Sequence, residues 1–245
     1  MPRRSRDFFG PRREGYYDAT HRPLNCLLFL LPLIVLYEVG SLWVGSVPLG
    51  STPPQRVTAF YWIVQFLGLF ASVPTYLPGV LLVVIFGLWH LLDRDRVHPR
   101  WTVVGGMFLE SLAMCLPLLV MNRLFHQFNM LAGGDGLGQE LIVALTAGIY
   151  EELIFRLLLI WLLKIALIDL ARLPRTWTMA GIVVLTAALF AIYHYAGAEP
   201  FAMRTFMFRT LAGIYLGGLF VLRGFGITVG VHAIYDVILT CLSPG

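Results

Sequence analysis

Apolar residues come in long runs along this chain, separated by short polar breaks and by proline and glycine. A helix needs ~20 apolar residues to span the hydrocarbon core of a bilayer. Runs of that kind cover 24–44, 77–92, 101–125, 141–170, 177–196, 201–222 and 227–242. A shorter run at 57–72 carries Thr58 and Gln65. The breaks fall at Pro48 and Gly50, at Pro74 and Pro78, and in the polar stretch 93–100. Later breaks are the glycine-rich 129–138 with Asp135, the basic turn at Pro174, Glu199 with Pro200, and Gly224 with Gly226. The pattern predicts an all-α fold, a polytopic transmembrane bundle of seven to eight membrane helices.

Charge in the breaks orients the spans. Arg94, Arg96 and Arg100 form one basic loop, Arg172 and Arg175 a second, and Arg223 marks a third, whereas 127–140 holds no Lys or Arg. These alternate as the positive-inside rule requires if the N-terminus is cytoplasmic and 57–72 does not fully cross. Seven full spans plus one interfacial or re-entrant helix is the favoured count, and eight spans the alternative. Arg204 and Arg209 fall at the outer end of their span, so they are expected to snorkel or to face the bundle interior. Gly213 to Gly218 reads as a close-packing helix face. Trp101 and Trp177 read as interfacial anchors.

Composition excludes a water-solvated surface. The 245 residues are 58% hydrophobic and 13% charged, against about 25% charged in soluble domains. Six arginines (Arg3, Arg4, Arg6, Arg12, Arg13 and Arg22) precede the first apolar run. A basic tail can bind nucleic acid, but this one leads straight into the membrane. Anionic lipid is therefore the expected partner, and nucleic acid is not. The first apolar run lacks a small-residue cleavage site and reads as an anchor rather than a removed signal peptide. Cys26, Cys115 and Cys241 lie far apart in apolar runs and read as small buried hydrophobes.

A charge at the bilayer centre costs from ~2.5 to over ~10 kcal/mol, so such residues face a bundle interior or a wet cavity. They concentrate in three places. In Glu151-Glu152-Leu153-Ile154-Phe155-Arg156, Glu152 and Arg156 are four apart and can pair on one helix face. Glu151 points about 100° away. In Phe190-Ala191-Ile192-Tyr193-His194, the phenylalanine and histidine share a face. In His232-Ala233-Ile234-Tyr235-Asp236, the histidine and aspartate do. Each group alone could be a structural pair or cap. Together, two glutamates, two histidines, an arginine and an aspartate from three spans find partners only if the spans converge on a central polar cavity. Such a set can activate water, a carboxylate taking the proton while histidine orients the water or steadies developing charge. It could also hold divalent zinc through Glu151, His194 and His232, although no cofactor is favoured. Glu38 and Glu110 also fall within apolar runs. They are expected to pair with Arg123 or another buried cation, or to lie near an interface. Lys164 is expected to snorkel.

The three groups, in this order, resemble the motifs of the CAAX protease and bacteriocin-processing (Abi) family of intramembrane endopeptidases. Glu-Glu-x-x-x-Arg is matched by Glu151, Glu152 and Arg156, Phe-x-x-x-His by Phe190 and His194, and His-x-x-x-Asn/Asp by His232 and Asp236. The usual last residue is Asn. An ionised Asp accepts but does not donate hydrogen bonds, so orienting His232 is the role that suits Asp236. The resemblance covers roughly 141–242, and it implies an all-helical bundle that hydrolyses peptide bonds at or within the membrane. Carried over, it makes Glu151 the general base, His194 the holder of the attacking water, and His232 with Asp236 the oxyanion side. Glu152, Arg156 and Phe190 support them. With the hydropathy pattern, which alone supports the N-terminal part, the chain divides into a basic cytoplasmic tail (1–23), N-terminal transmembrane helices (24–140) and a catalytic core (141–242) forming one domain with them. The implied partners are the bilayer and a membrane-associated protein or peptide substrate. The compact length, the arginine-rich tail and the basic loops predict a multi-pass protein of a bacterial plasma membrane, with its N-terminus in the cytoplasm.

Rival readings have weaker signals. There is no HExxH zinc helix and no GxSxG elbow, and Gly133-Gly134-Asp135 follows Ala132, so it is not GxGD. A transporter or ion pathway would be expected to carry an internal repeat, and none is visible. A catalytically silent scaffold would be expected to have lost Glu151 or a histidine.

Overall fold

The computed structural model describes residues 15–44, 59, 63, 65, 66, 77–92, 99–125, 137–196 and 199–242. Every regular element among them is helical: α1 (Tyr16–Thr20), α2 (Pro23–Val44), α3 (Leu77–Leu92), α4 (Trp101–Met114), α5 (Leu116–Leu124), α6 (Leu137–Glu152), α7 (Arg175–Tyr193), α8 (Met203–Arg223) and α9 (Phe225–Leu242). The all-α membrane bundle expected from the hydropathy pattern is thus present. Five helical stretches are long and apolar enough to cross a membrane: Pro23–Gly40, Trp101–Leu124, Arg175–Ala196, Met203–Arg223 and Phe225–Leu242. The protein is an integral membrane protein. The remaining expected spans are the shorter apolar α3 and the composite helix that begins with α6. The 57–72 run lies outside the described residues except for Ala59, Ile63, Gln65 and Phe66, which are helical. The tail 1–14, the loop 93–98 and residues 126–136 lie outside them as well.

Two expected runs differ in detail. The 101–125 run divides at Cys115 into α4 and α5, with Pro117 near the start of the second helix. Proline has no N–H to donate, and it is tolerated in a first helical turn. The 141–170 run starts earlier, at Leu137, and is not uniformly α-helical. After Glu152 it becomes a π-helix over Leu153–Ile160, then one α-turn over Trp161–Lys164, then a second π segment over Ile165–Leu170. Such π segments are rare and are found preferentially at functional sites. Lys164, expected to snorkel, pairs with Asp169 at 3.3 Å.

The last helix is the centre of the bundle. In α9, 67% of the spanning window is buried, against 28–39% in the other four. It packs against α2, α4, α6 and α8, while α7 and α8 run along each other. With no hydrophobic force between helices in lipid, close approach depends on small residues. A Cβ on Gly213 would stand 3.0 Å from Cα of Ala187, so the Gly213 face of α8 packs on α7 as expected. At Gly148 of α6, a Cβ would meet the backbone N and Cα of Ala233 in α9 at 2.8 Å. Backbone cannot yield there, so Gly148→Ala is expected to cost about 1–3 kcal/mol by overpacking. Thermal unfolding in detergent reads this as a lowered midpoint, and an unchanged midpoint would contradict the contact. Gly148 and Ala233 are neighbours of Glu151 and His232, so the same small-residue contact brings two site helices together.

The bundle ends are tied by charge. Glu110 of α4 pairs with Arg223 of α8 at 2.5 and 2.8 Å and accepts the Tyr16 hydroxyl at 2.7 Å. Its cation is therefore Arg223 and not Arg123, because the end of α8 reaches the α4 face that carries Glu110. Gly224, at φ +83°, turns the chain from α8 directly into α9. That left-handed conformation favours glycine. Glu38 of α2 packs against Gly79 of α3. Cys26 and Cys115 are buried as expected, but Cys241 is exposed in the last turn of α9. Trp101 and Trp177 are exposed, as interfacial residues would be.

Candidate active site

Three helices deliver the polar residues to one place. Glu151 and Glu152 close α6, Arg156 follows in the π-helix, Phe190 and Tyr193 end α7 with His194 just after it, and His232 and Asp236 sit in the middle of α9. Glu151, Glu152, Arg156 and His232 are buried. Glu151, Phe190, His194, His232 and Asp236 line one cavity of about 340 Å³.

Adjacent glutamates face different ways, as a 100° step around a helix requires. Glu152 turns inward. Its carboxylate meets Arg156 Nε at 3.1 Å and His232 Nδ1 at 2.7 Å. Arg156 lies with its guanidinium carbon 4.3 Å above the centre of the Phe190 ring. Neither Nη of Arg156 meets a hydrogen-bond acceptor among the described residues, so the aromatic face is the group that receives the rest of this cation. The same ring stands edge-to-face with His194 at 4.8 Å and His232 at 6.2 Å. Phe190 is therefore the spacer around which the cation and both imidazoles are placed.

Glu151 turns into the cavity. The Tyr193 hydroxyl donates to Glu151 Oε1 at 3.3 Å, His194 Nε2 lies 3.9 Å from Oε1, and His232 Nε2 lies 3.9 Å from Oε2. The other ring nitrogens assign the protons. His194 Nδ1 is 2.8 Å from the Phe190 carbonyl oxygen, which only accepts, so Nδ1 carries hydrogen. In the neutral ring the Nε2 lone pair then points at the cavity. His232 Nδ1 donates to the Glu152 carboxylate, and its Nε2 lies 3.4 Å from Asp236 Oδ2. Three carboxylates, those of Glu151, Glu152 and Asp236, surround this ring.

Among the described residues, no group of three or more His, Cys, Asp or Glu side chains is arranged to hold a metal ion. Ligand atoms bound to tetrahedral zinc at about 2.0–2.1 Å stand ~3.3–3.4 Å apart, and both imidazole–Glu151 separations are longer. Glu151, His194 and His232 as they stand do not fit a zinc sphere. The chemistry below uses side chains and water.

All seven residues singled out by motif meet in this site. Sequence reasoning missed three neighbours. Tyr193 adjoins His194, but nothing in its spacing marks the phenol as a partner of Glu151. Glu199 precedes α8, and Arg209, on its second turn, pairs with it through both Nη atoms at 3.0 Å. Both residues line the cavity. Arg209 is buried, so of its two expected fates it takes the interior one. Its position inside an apolar run was the available signal, since lone cations there are costly.

Residues 135–238 match the family model of the type II CAAX prenyl endopeptidases, Rce1-like. This core is similar to that family. The match bears out the resemblance to the CAAX protease and bacteriocin-processing family, and it spans all seven motif residues. No curated protein and no solved structure matches the chain. The family model that residues 135–238 match is one of endopeptidases, and the five apolar spans of the whole chain make it an integral membrane protein.

Proposed function

We propose that this Rce1-like protein is an intramembrane endopeptidase that hydrolyses a membrane-associated protein or peptide with water activated by Glu151 and His194. The observation that carries the reading is the facing pair of Glu151 Oε1 and His194 Nε2, 3.9 Å apart on the cavity wall. That gap is too long for a direct hydrogen bond but lets one water touch both atoms. Such a water donates one hydrogen to each, leaving its lone pairs free to attack a carbonyl carbon.

On attack, Glu151 takes the water proton and the new C–O bond forms as the carbonyl oxygen gathers charge. His232, protonated on Nε2 and anchored through Nδ1 by Glu152, donates to that oxyanion. Asp236, an acceptor only, faces the same Nε2 at 3.4 Å, so it holds that proton at rest and yields it to the oxyanion on attack. When the tetrahedral intermediate collapses, the C–N bond breaks and the proton held by Glu151 passes to the leaving amine. Arg156 balances the Glu152 charge, so the pair supports the site without touching substrate. Six arginines ahead of the first span support a cytoplasmic N-terminus in a bacterial plasma membrane.

The test is cleavage of a membrane-anchored reporter peptide library by purified protein, with and without a strong zinc chelator. Wild type is expected to cleave in both arms, and His194→Ala to lose about 10²–10⁴-fold in rate, the worth of a positioned acid–base group. Chelator-sensitive cleavage would overturn the metal-free chemistry. No cleavage at all, with His194→Ala altering ion flux in liposomes, would make the cluster a transport path instead.

A further inference from the structure

A second cavity, of about 510 Å³, lies beside the end of α7. It is bordered by apolar side chains including Ile154, Phe155 and Leu159, and by the phenols of Tyr193 and Tyr195. Tyr193 thus borders this groove while its hydroxyl reaches Glu151, which lines the polar cavity. Its ring packs edge-on against Phe155 at 5.1 Å and His194 at 4.9 Å, and the side chain is 6% exposed. A phenylalanine would satisfy all of that packing. The hydroxyl adds a hydrogen bond to Glu151 Oε1.

Resting on the peptidase reading, we propose that Tyr193 is a positioning residue for the general base: its hydroxyl holds the Glu151 carboxylate toward His194. Three considerations carry this. The oxygen that accepts from Tyr193 is the same Oε1 that faces His194 Nε2. A carboxylate so held keeps one lone pair on the phenol and presents the rest to the cavity, which fixes where the water must sit. Tyr193 also immediately precedes His194 at the end of α7, so base and water-holding histidine are tied to one helix terminus.

The experiment compares pH profiles of kcat and KM for wild type, Tyr193→Phe and a protein carrying 3-fluorotyrosine at 193. Losing the phenolic donor is expected to lower kcat about tenfold across the pH range. KM and the thermal midpoint should be nearly unchanged. Fluorotyrosine, which keeps the donor, should keep kcat close to wild type. A merely structural hydroxyl would shift the midpoint and leave kcat per folded molecule unchanged in Tyr193→Phe, and that result overturns the proposal. So does an unchanged Tyr193→Phe profile with wild-type cleavage intact, which leaves the peptidase reading standing. Absence of wild-type cleavage removes both.

Discussion

Glu151→Gln is expected to lower kcat for peptide cleavage by about 10²–10⁴-fold or more, with KM little changed. Glutamine keeps the shape of the side chain, and its carbonyl oxygen can still accept from Tyr193. What it loses is the ability to take the proton of the attacking water. Substrate binding involves the rest of the cavity wall, so the loss falls on the chemical step. Glu151 is buried, and among the described residues its carboxylate meets a hydroxyl at 3.3 Å and two imidazoles at 3.9 Å. Replacing an imperfectly paired buried charge by a neutral isostere relieves desolvation cost. The thermal midpoint should therefore hold or rise while activity collapses. That opposition separates a base from a packing residue: a variant that unfolds earlier and cleaves at the wild-type rate per folded molecule would remove Glu151 from the mechanism.

Arg156→Met is expected to have the largest effect on stability. The side chain is 1% exposed, pairs with Glu152 through Nε and covers the Phe190 ring. Methionine fills much of the space but leaves Glu152 buried with one partner fewer. Breaking a buried ion pair from one side costs about 3–5 kcal/mol. At about 2–4 °C per kcal/mol for a chain of this length, the midpoint should fall by roughly 10 °C. Arg156→Lys should recover part of this, since it restores the charge but not the planar cation on the ring. Cleavage should fall in both, because Glu152 also anchors His232 at 2.7 Å. An unchanged midpoint in Arg156→Met would mean that the pair does not hold the three helices.

Much of the site was legible because lipid makes polar residues conspicuous. Glu151, Arg156, His194 and His232 each interrupt an apolar run, and spacing of four put Glu152 with Arg156 and His232 with Asp236 on shared faces. The structure returns both pairs, at 3.1 and 3.4 Å. The partner of Glu110 was not legible in the same way. On sequence the cation was Arg123 or another buried one, and only the packing of the end of α8 beside α4 selects Arg223. Nor was the π-helix after Glu152, since its residues are ordinary helix formers and a wider turn leaves no mark on hydropathy.

By itself the sequence determined that this chain is an all-helical membrane protein, and that its buried charges must converge somewhere. Both follow from local cost, since each apolar run and each lone charge is counted against lipid residue by residue. Tertiary structure alone decided which charges meet across helices. The Gly148–Ala233 contact brings α6 and α9 together, the Phe190 ring spaces Arg156 from two imidazoles, and Tyr193 reaches Glu151 across a helix end. Those are contacts between residues 34 to 85 positions apart or set by side-chain direction, and neither periodicity nor hydropathy carries information about them.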